Sequence, residues 1–178
     1  MALYGNPHLT RRETFFDSTD VIVSKTDLKG KITYANRTFL KMAQMDEKDI
    51  LGQPHNIIRH PEMPRCVYKL LWDRLQNGQE VFAYVNNRAV NGDHYWVLAN
   101  VTPSFNAQGQ IINYHSNRRV PDRNVLEGKI MPLYSELLAL EKSFDSPKEG
   151  LEASYGKIQK MLDDAGISFN EFMFSLNA

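Results

Sequence analysis

The spacing of hydrophobic positions along the first part of the chain is that of a β-hairpin. Two short runs rich in β-branched residues, 20–24 and 31–35, flank a polar stretch that contains Asp27 and Gly30. Short strands on either side of such residues are typical of a tight antiparallel turn. The pattern therefore predicts two paired strands at the start of a folded domain.

The period then changes to that of helices. Asn36 is a candidate N-cap for a helix over 37–43, and a second short helical piece covers 46–51. Pro64 begins a longer helix, in which leucine and valine recur every three or four positions until Asn77 and Gly78 end it.

A second change of period predicts three more strands. These strands cover 81–85, 95–101 and 111–115, and the Asn91–Gly92 pair between the first two is a strong hairpin signal. Two strands, several short helices and three strands in this order predict an α+β fold. We expect an antiparallel sheet with the short helices packed over one face.

The ends of the chain differ from this central part. The predicted division is a loose lead-in at 1–19, a domain at 20–120 and a helical extension at 121–178. The extension is predicted to contain helices over 125–144 and 148–165, and Pro132 either kinks the first helix or marks where its regular part begins. These helices could cover the outer face of the sheet, pair with a second copy or contact a separate protein.

The overall composition narrows the classes of function. Lys plus Arg and Asp plus Glu both number 21, so the chain has no net charge to attract nucleic acid or an anionic membrane surface. No apolar run is long enough to span a bilayer, no secretory signal is recognisable, and Cys66 is the single cysteine. We therefore expect a cytoplasmic protein. The usual nucleophile, phosphate-loop and dinucleotide motifs are absent, which predicts that it is not an enzyme.

One unusual segment is HNIIRHPEMP at 55–64, which combines two histidines, one arginine and two prolines. His55, His60 and Glu62 are conceivable metal ligands, but neither their spacing nor a nearby cysteine completes a coordination sphere. We therefore expect no metal site. The polar side chains could instead cap helix ends and satisfy loop backbone groups, or form the wall of a ligand pocket.

Four strings of the sequence resemble a known family. They are TDLKGKITYANRTF (26–39), LGQPHNIIRHPEMP (51–64), VNNRAVNGDHYWVLANVTP (85–103) and MPLYSEL (131–137). The chain resembles a PAS domain of the aerotaxis-receptor type from about Asp20 to Leu140. This resemblance implies a PAS fold with a five-stranded sheet and non-covalently bound FAD. It also implies a sensor of redox, oxygen or energy state that signals to a chemotaxis-type receptor or kinase in trans, or through a homodimer.

The resemblance also implies which residues contact the cofactor. They are Asn36, Asn56, Arg59, His60, Tyr68, Trp72 and Asn87. Carboxamides suit the mixed donor and acceptor edge of a flavin ring, and tryptophan can stack on it. Asn36 or Asn87, rather than Arg59, is expected to respond first to reduction. The alternatives are that Asn36 is only an N-cap, that Trp72 belongs to the core and that Asn87 only ends a strand.

Three alternatives to a flavin redox sensor follow from the same residues. Cys66 does not stand in the sequence context of a light-sensing LOV cysteine and is expected to be a buried apolar residue. Haem, with His55 or His60 as axial ligand, is the alternative cofactor. The third alternative is a docking module that binds no ligand. The family tryptophan of the third strand is replaced at Val81–Phe82, where Phe82 or Tyr84 is the candidate substitute.

Overall fold

The computed structural model describes residues 8–176, so residues 1–7 of the predicted lead-in and 177–178 of the predicted extension lie outside it. Five strands form one antiparallel sheet in the order β2-β1-β5-β4-β3. The strands are β1 (Ile22–Thr26), β2 (Ile32–Ala35), β3 (Val81–Arg88), β4 (His94–Phe105) and β5 (Ile111–Arg119). The predicted five-stranded antiparallel sheet is confirmed.

Helices fill the two segments that the patterns assigned to them. Between β2 and β3 these are α1 (Arg37–Ala43), α2 (Glu47–Ile50), a 3₁₀ turn (His55–Ile58) and α3 (Arg65–Gln76). After β5 follow α4 (Arg123–Val125), a π-helical turn (Leu126–Ile130), α5 (Met131–Lys142), α6 (Pro147–Ala165) and α7 (Phe169–Ser175). Among the described residues no helix combines the length and the apolar composition that a membrane span requires.

The alternation of side chains gives the sheet an inner face that is buried. Ile22, Ser24 and Thr26 of β1 point to this face and are all buried, whereas Lys25 between them is exposed. Ser24 lies opposite Ser116 of β5 in the strand register. Helix α3 packs over this face because its leucines recur at helical spacing and form a buried stripe. Ligand-sized space remains between the helix and the sheet.

The lead-in is not loose where the structure describes it. Thr14 N–H donates to the carbonyl of His94 at 2.8 Å, and the N–H of His94 donates to the carbonyl of Arg12 at 3.0 Å. The fully buried carboxylate of Asp93 accepts hydrogen bonds from the Thr10 hydroxyl and the Arg12 guanidinium. A buried carboxylate requires such partners, so the turn before β4 holds the N-terminal segment in place.

The predicted helix over 125–144 starts earlier, and its helical type changes along its length. It begins at Arg123, and a π-helical turn at Leu126–Ile130 precedes α5. Pro132 stands in the first turn of α5, but the helical backbone has already run on from Arg123. In a regular α-helix its ring would crowd the carbonyl four residues earlier, and the wider π-helical turn relieves this crowding. Pro132 thus marks where the regular part begins.

The C-terminal helices cover the free edge of β3. The side-chain amide of Asn170 in α7 accepts from the N–H of Phe82 at 3.0 Å and donates to the carbonyl of Glu80 at 3.1 Å. The hydroxyl of Tyr134 in α5 donates to the carbonyl of Tyr84 at 2.9 Å. Edge strands expose unpaired backbone groups of this kind. The extension therefore completes the edge of the sheet, and Tyr134 of α5 also packs near Trp96 of β4, with ring centres 6.2 Å apart.

Candidate functional site

A cavity of about 300 Å³ lies between the inner face of the sheet and α3. This volume is at the lower end of the range for small-molecule sites, about 300–1,000 Å³. The sheet contributes Ser24, Thr26, Val85, Asn87, Ala99, Val101, Tyr114, Ser116 and Arg118 to its wall. The turn between β1 and β2 contributes Lys29 and Gly30, and the helical side contributes Pro54, His55, Asn56, Arg59, Tyr68, Leu71, Trp72 and Leu75. The site is thus a concave pocket with an aliphatic and aromatic wall and several polar groups.

The HNIIRHPEMP segment closes one side of this pocket. A single backbone bridge pairs Arg59 with Asn87 of β3, and the N–H of His60 donates to the carbonyl of Asn86 at 3.4 Å. The sulfur of Met63 accepts from the N–H of Asn86 at 3.3 Å. These contacts hold the segment against the end of β3, so that it forms a wall of the cavity. Within residues 8–176 no three metal-ligating side chains are grouped together.

The structure brings five of the seven predicted site residues to the cavity: Asn56, Arg59, Tyr68, Trp72 and Asn87. Arg59 donates to the carbonyl of Met63 at 3.2 Å, and its guanidinium lies 4.2 Å from the centre of the Tyr68 ring. This cation–π contact helps to hold both side chains within the pocket wall. Five residues that the resemblance implied thus lie at one cavity, and their contact with a cofactor stays a prediction.

Asn36 does not line the cavity. Its carboxamide oxygen accepts from the N–H groups of Phe39 and Val23, both at 3.0 Å, and its NH₂ donates to the carbonyl of Val21 at 2.8 Å. The side chain caps α1 and ties it to β1. Because donor and acceptor are both engaged in the backbone, Asn36 has no part in our proposal for the site. The N-cap alternative describes its position.

His60 also lies outside the cavity wall. It is buried, its Nδ1 accepts from the N–H of Glu62 at 3.2 Å, and its ring centre is 5.5 Å from that of His94. Burial lowers the pKa of His60 to about 4. His60 therefore braces the loop behind the pocket as a neutral residue.

The residue that sequence reasoning missed is Arg118, at the end of β5. Its guanidinium is buried, and Nη2 donates to the hydroxyl of Ser24 at 2.9 Å and lies 2.6 Å from Nε2 of His55. The signal was present in the alternation of β5, since Tyr114, Ser116 and Arg118 fall on one face. Nothing in the sequence alone shows that this face is the inner one.

Arg118 is a buried cation without a buried anion beside it. None of the ion pairs among residues 8–176 includes Arg118, and no aspartate or glutamate lines the cavity. Burial lowers the pKa of Arg118 to about 10, which leaves it charged at neutral pH. Since an uncompensated buried charge is costly, the pocket favours a ligand that is anionic or rich in hydrogen-bond acceptors.

Several donors of the pocket lack a hydrogen-bond partner within the described part of the chain. They are the hydroxyls of Tyr68 and Ser116, Nδ2 of Asn87 and Nη1 of Arg118. The hydroxyl of Tyr95, which lies opposite Asn87 in the register, is in the same condition. Burial raises the pKa of Tyr68 to about 12, so this phenol keeps its proton. Buried polar groups are normally paired, so these donors point to acceptors supplied by a ligand.

An aromatic corner forms the opposite wall. Trp72 and Tyr114 meet edge to face with their ring centres 5.4 Å apart. A Cβ on Gly30 would lie 3.2 Å from the Trp72 ring, so glycine leaves the space that this ring needs. Phe82 and Tyr84 do not replace the missing family tryptophan, because neither lines the cavity. Phe82 instead packs on Phe174 of α7, with ring centres 4.8 Å apart.

The buried histidines make the stability of the fold sensitive to acid. Burial, with the charge of Arg118, lowers the pKa of His55 to about 3, and His60 lies at about 4. Both groups bind protons near pH 6.5 when the chain is unfolded. The unfolded state therefore binds more protons as the pH falls below 6.5. We predict that the free energy of unfolding drops by up to about 2 kcal/mol per histidine from pH 7 to pH 5.

Urea unfolding of the ligand-free protein at both pH values measures this drop. His55→Gln should reduce the difference between the two values by the share of one histidine. Equal free energies of unfolding at pH 7 and pH 5 would contradict the prediction.

The sheet order, the short helices and the pocket between them together define an α+β domain with space for a small ligand. The sequence profile of the PAS fold matches residues 10–115, and the chain belongs to the PAS family. Over 136 residues it is 38% identical to the aerotaxis receptor of Escherichia coli (strain K12), a match that covers 76% of this chain and 26% of that protein. The predicted resemblance is confirmed.

Other similarities extend this result. The nitrogen fixation regulatory protein of Klebsiella pneumoniae is 29% identical over 106 residues, 60% of this chain and 21% of that protein. The chain thus spans about a quarter of the length of the curated relatives it matches. The light-state structure of the Aureochrome1 LOV blue-light photoreceptor has a TM-score of 0.53 at 24% identity, covering 69% of this chain and 91% of that one. A light-oxygen-voltage domain studied with a flavin analogue has a TM-score of 0.56 at 16% identity, covering 65% of this chain and 87% of that one. These two structures support the fold.

Proposed function

We propose that this PAS domain binds FAD without a covalent bond and reports the redox state of its surroundings to a partner protein. The observation that carries the proposal is the chemistry of the cavity wall. Arg118, Arg59 and Lys29 line it without any acidic residue, and several of its buried donors have no partner within the described residues. A flavin ring with its carbonyl and imine acceptors, and a phosphate-bearing tail, matches this wall.

Different residues of the cavity wall suit different parts of such a ligand. Donors from Asn87, Ser116 and Arg118 suit the acceptor edge of the ring system, and Trp72 with Tyr114 offers aromatic surface to its plane. The cavity volume of about 300 Å³ is sufficient for a ring and not for a whole dinucleotide. The remainder of FAD would therefore extend beyond the cavity, where the exposed Lys29 is available to phosphates.

A bound flavin supplies reversible electron transfer, in which reduction adds a proton to a ring nitrogen that had been an acceptor. Asn87 can hydrogen-bond to this nitrogen in both redox states, because rotation of its carboxamide presents either a donor or an acceptor. Arg59 and Arg118 have donors alone and stabilise negative charge instead. Of the two amides expected to respond to reduction, Asn87 lines the cavity and Asn36 does not.

Haem suits the cavity less well. His60 lies outside the cavity wall, and Nε2 of His55 faces the cation of Arg118 at 2.6 Å and the Ser24 hydroxyl at 3.1 Å. A histidine lone pair used in this way is not free for iron. A thiol adduct is also disfavoured, because burial raises the pKa of Cys66 to about 12. A ligand-free docking module would leave Arg118 buried without a counter-charge.

The output of the proposed sensor is a contact with another protein. The similarity to an aerotaxis receptor supports a cytoplasmic chemotaxis-type receptor or kinase as the partner, with a second copy of the chain as the alternative. Sedimentation of the oxidised and reduced flavoprotein distinguishes these two forms of output. A redox-dependent change in mass indicates the homodimer.

We predict that the purified domain, supplied with FAD during expression, releases about one FAD per chain on heating. Chromatography of the supernatant identifies the molecule, and a visible spectrum distinguishes flavin from the Soret band of haem. Reconstitution with FAD, FMN and riboflavin is the matched series, in which we expect affinity to increase with the number of phosphates. Failure of micromolar FAD to bind, or a haem spectrum, would contradict the proposed function.

A further inference from the structure

A buried carboxylate of the C-terminal extension binds the first turn of the pocket helix. Glu141 of α5 is 7% exposed. Its Oε2 accepts from the N–H of Arg65 at 3.0 Å, and its Oε1 accepts from the N–H of Cys66 at 2.9 Å. These two amides are the first of α3. The extension and the pocket helix are therefore joined by two charge-assisted hydrogen bonds.

Helix α3 has no cap of its own at this end. Pro64 occupies the N-cap position and makes no side-chain hydrogen bond to the helix. The first amides of a helix have no partner within it, and a negative charge at this end is favourable. Glu141 thus supplies from α5 the cap that the sequence of α3 lacks.

The position of Glu141 is fixed in turn by α6. The hydroxyl of Ser154 donates to its Oε1 at 2.9 Å. A Cβ added to Gly150 would lie 2.3 Å from the backbone oxygen of Glu141, so α6 touches the backbone of α5 directly at this point. A displacement of α5 at this point therefore displaces α6 as well.

The other side of α3 lines the ligand cavity. Tyr68, Leu71 and Trp72 all face it. These residues follow Arg65 and Cys66 within the same 12-residue helix. A ligand that shifts α3 shifts the amides that Glu141 holds.

We propose that Glu141 is the positioning residue that couples the cavity to the α5–α6 pair. This inference deepens the proposed function, because the ligand is taken to be FAD. The signal leaves the pocket along α3 and across the Glu141 carboxylate. By reciprocity, the state of the extension alters the affinity for the ligand.

Hydrogen exchange of the full chain, with and without FAD, tests the coupling. In the wild type, FAD should slow exchange in α3, α5 and α6. Glu141→Gln places an NH₂ donor against the N–H of Arg65, so FAD-dependent protection of α5 and α6 should be lost. FAD affinity should fall at least about fivefold, the lower end of common coupling between sites.

Glu136→Gln is the matched control. Glu136 lies on the same helix and pairs with Lys157 of α6, and within residues 8–176 its side chain makes no hydrogen bond to α3. It should leave both the FAD affinity and the FAD-dependent protection unchanged. If Glu141→Gln does not fold, Ser154→Ala, which removes one of the three hydrogen bonds to the carboxylate, should give a partial loss. FAD-dependent protection of α6 that survives Glu141→Gln or Ser154→Ala intact overturns the proposal.

A second arm does not depend on flavin. Leu71→Ala changes the cavity side of α3. In the ligand-free protein this substitution alone should increase hydrogen exchange in α6. When Glu141→Gln is already present, adding Leu71→Ala should cause no further increase. Non-additivity of this kind measures coupling directly. If FAD does not bind and this cycle still shows coupling, the proposed ligand is wrong and the role of Glu141 stands. Additive effects overturn the role of Glu141, whatever the ligand.

Discussion

Arg118→Met is expected to weaken FAD binding by about 10- to 150-fold and at the same time to stabilise the ligand-free protein. The loss of affinity follows from the removal of a charged hydrogen-bond donor, an interaction of about 1.5–3 kcal/mol. The gain in stability follows from the removal of a buried charge that no carboxylate compensates. Exchanges of buried ionic groups for apolar ones of similar volume stabilise proteins by about 1–4 kcal/mol in favourable cases.

The groups around Arg118 can tolerate this exchange. The hydroxyl of Ser24 and Nε2 of His55 both contact the guanidinium, and they lie 3.1 Å from one another. They can therefore keep a hydrogen bond between themselves when Arg118 is replaced. Methionine fills a similar length of unbranched side chain, so no large cavity arises.

The adjoining residue in β5 provides the control. Arg119 is exposed and its side chain points to the opposite face of the sheet. Arg119→Met should leave the FAD affinity unchanged. Fluorescence titration gives the affinity, and urea unfolding of the ligand-free proteins gives the stability. A large loss of stability in Arg118→Met, with FAD affinity retained, would contradict the assignment of Arg118 to the ligand.

Trp72→Ala is expected to reduce FAD affinity about tenfold or more. Aromatic stacking contributes about 0.5–1.5 kcal/mol beyond the burial of area, and both are lost with the ring. Trp72 is only partly buried and lines the cavity. The cost to the ligand-free fold should therefore remain below the 3–5 kcal/mol that is common for a fully buried tryptophan.

Phe82→Ala distinguishes a ligand contact from a core contact. This ring packs on Phe174 outside the cavity. Its removal should lower the stability of the fold and leave the intrinsic FAD affinity unchanged. Thermal melts of both ligand-free variants and FAD titration of each give the comparison. If Trp72→Ala loses stability like a core variant and binds FAD normally, Trp72 belongs to the core alone.

Features that depend on neighbouring residues could be predicted from the sequence. The Asn91–Gly92 turn, the cap at Asn36 and the start of α3 after Pro64 each follow from local conformational preferences. The wall formed by 55–64 could be placed because its motif resembles a family. Five of the seven candidate residues line the cavity, and two of these five lie in this segment.

Features that depend on the pairing of distant strands could not be predicted. Arg118 reaches the pocket because β5 lies between β1 and β4 in the sheet, an order that no local pattern encodes. The same is true of Asp93, whose partners at Thr10 and Arg12 are about eighty residues away. The sequence leaves two roles open for Asn36, a helix N-cap and a contact with the cofactor. The register of β1 and β2 directs that amide to the backbone.

The covered edge of β3 has a consequence for any experiment on a shortened chain. A fragment that ends at residue 120 would lack Asn170, Tyr134 and Glu141. It would leave the backbone groups of Phe82 and Tyr84 open to water and to other chains. Such a fragment would be prone to strand addition and aggregation. Low solubility of the fragment would therefore not be evidence against ligand binding by the whole chain. Soluble material for ligand assays should retain the chain through α7.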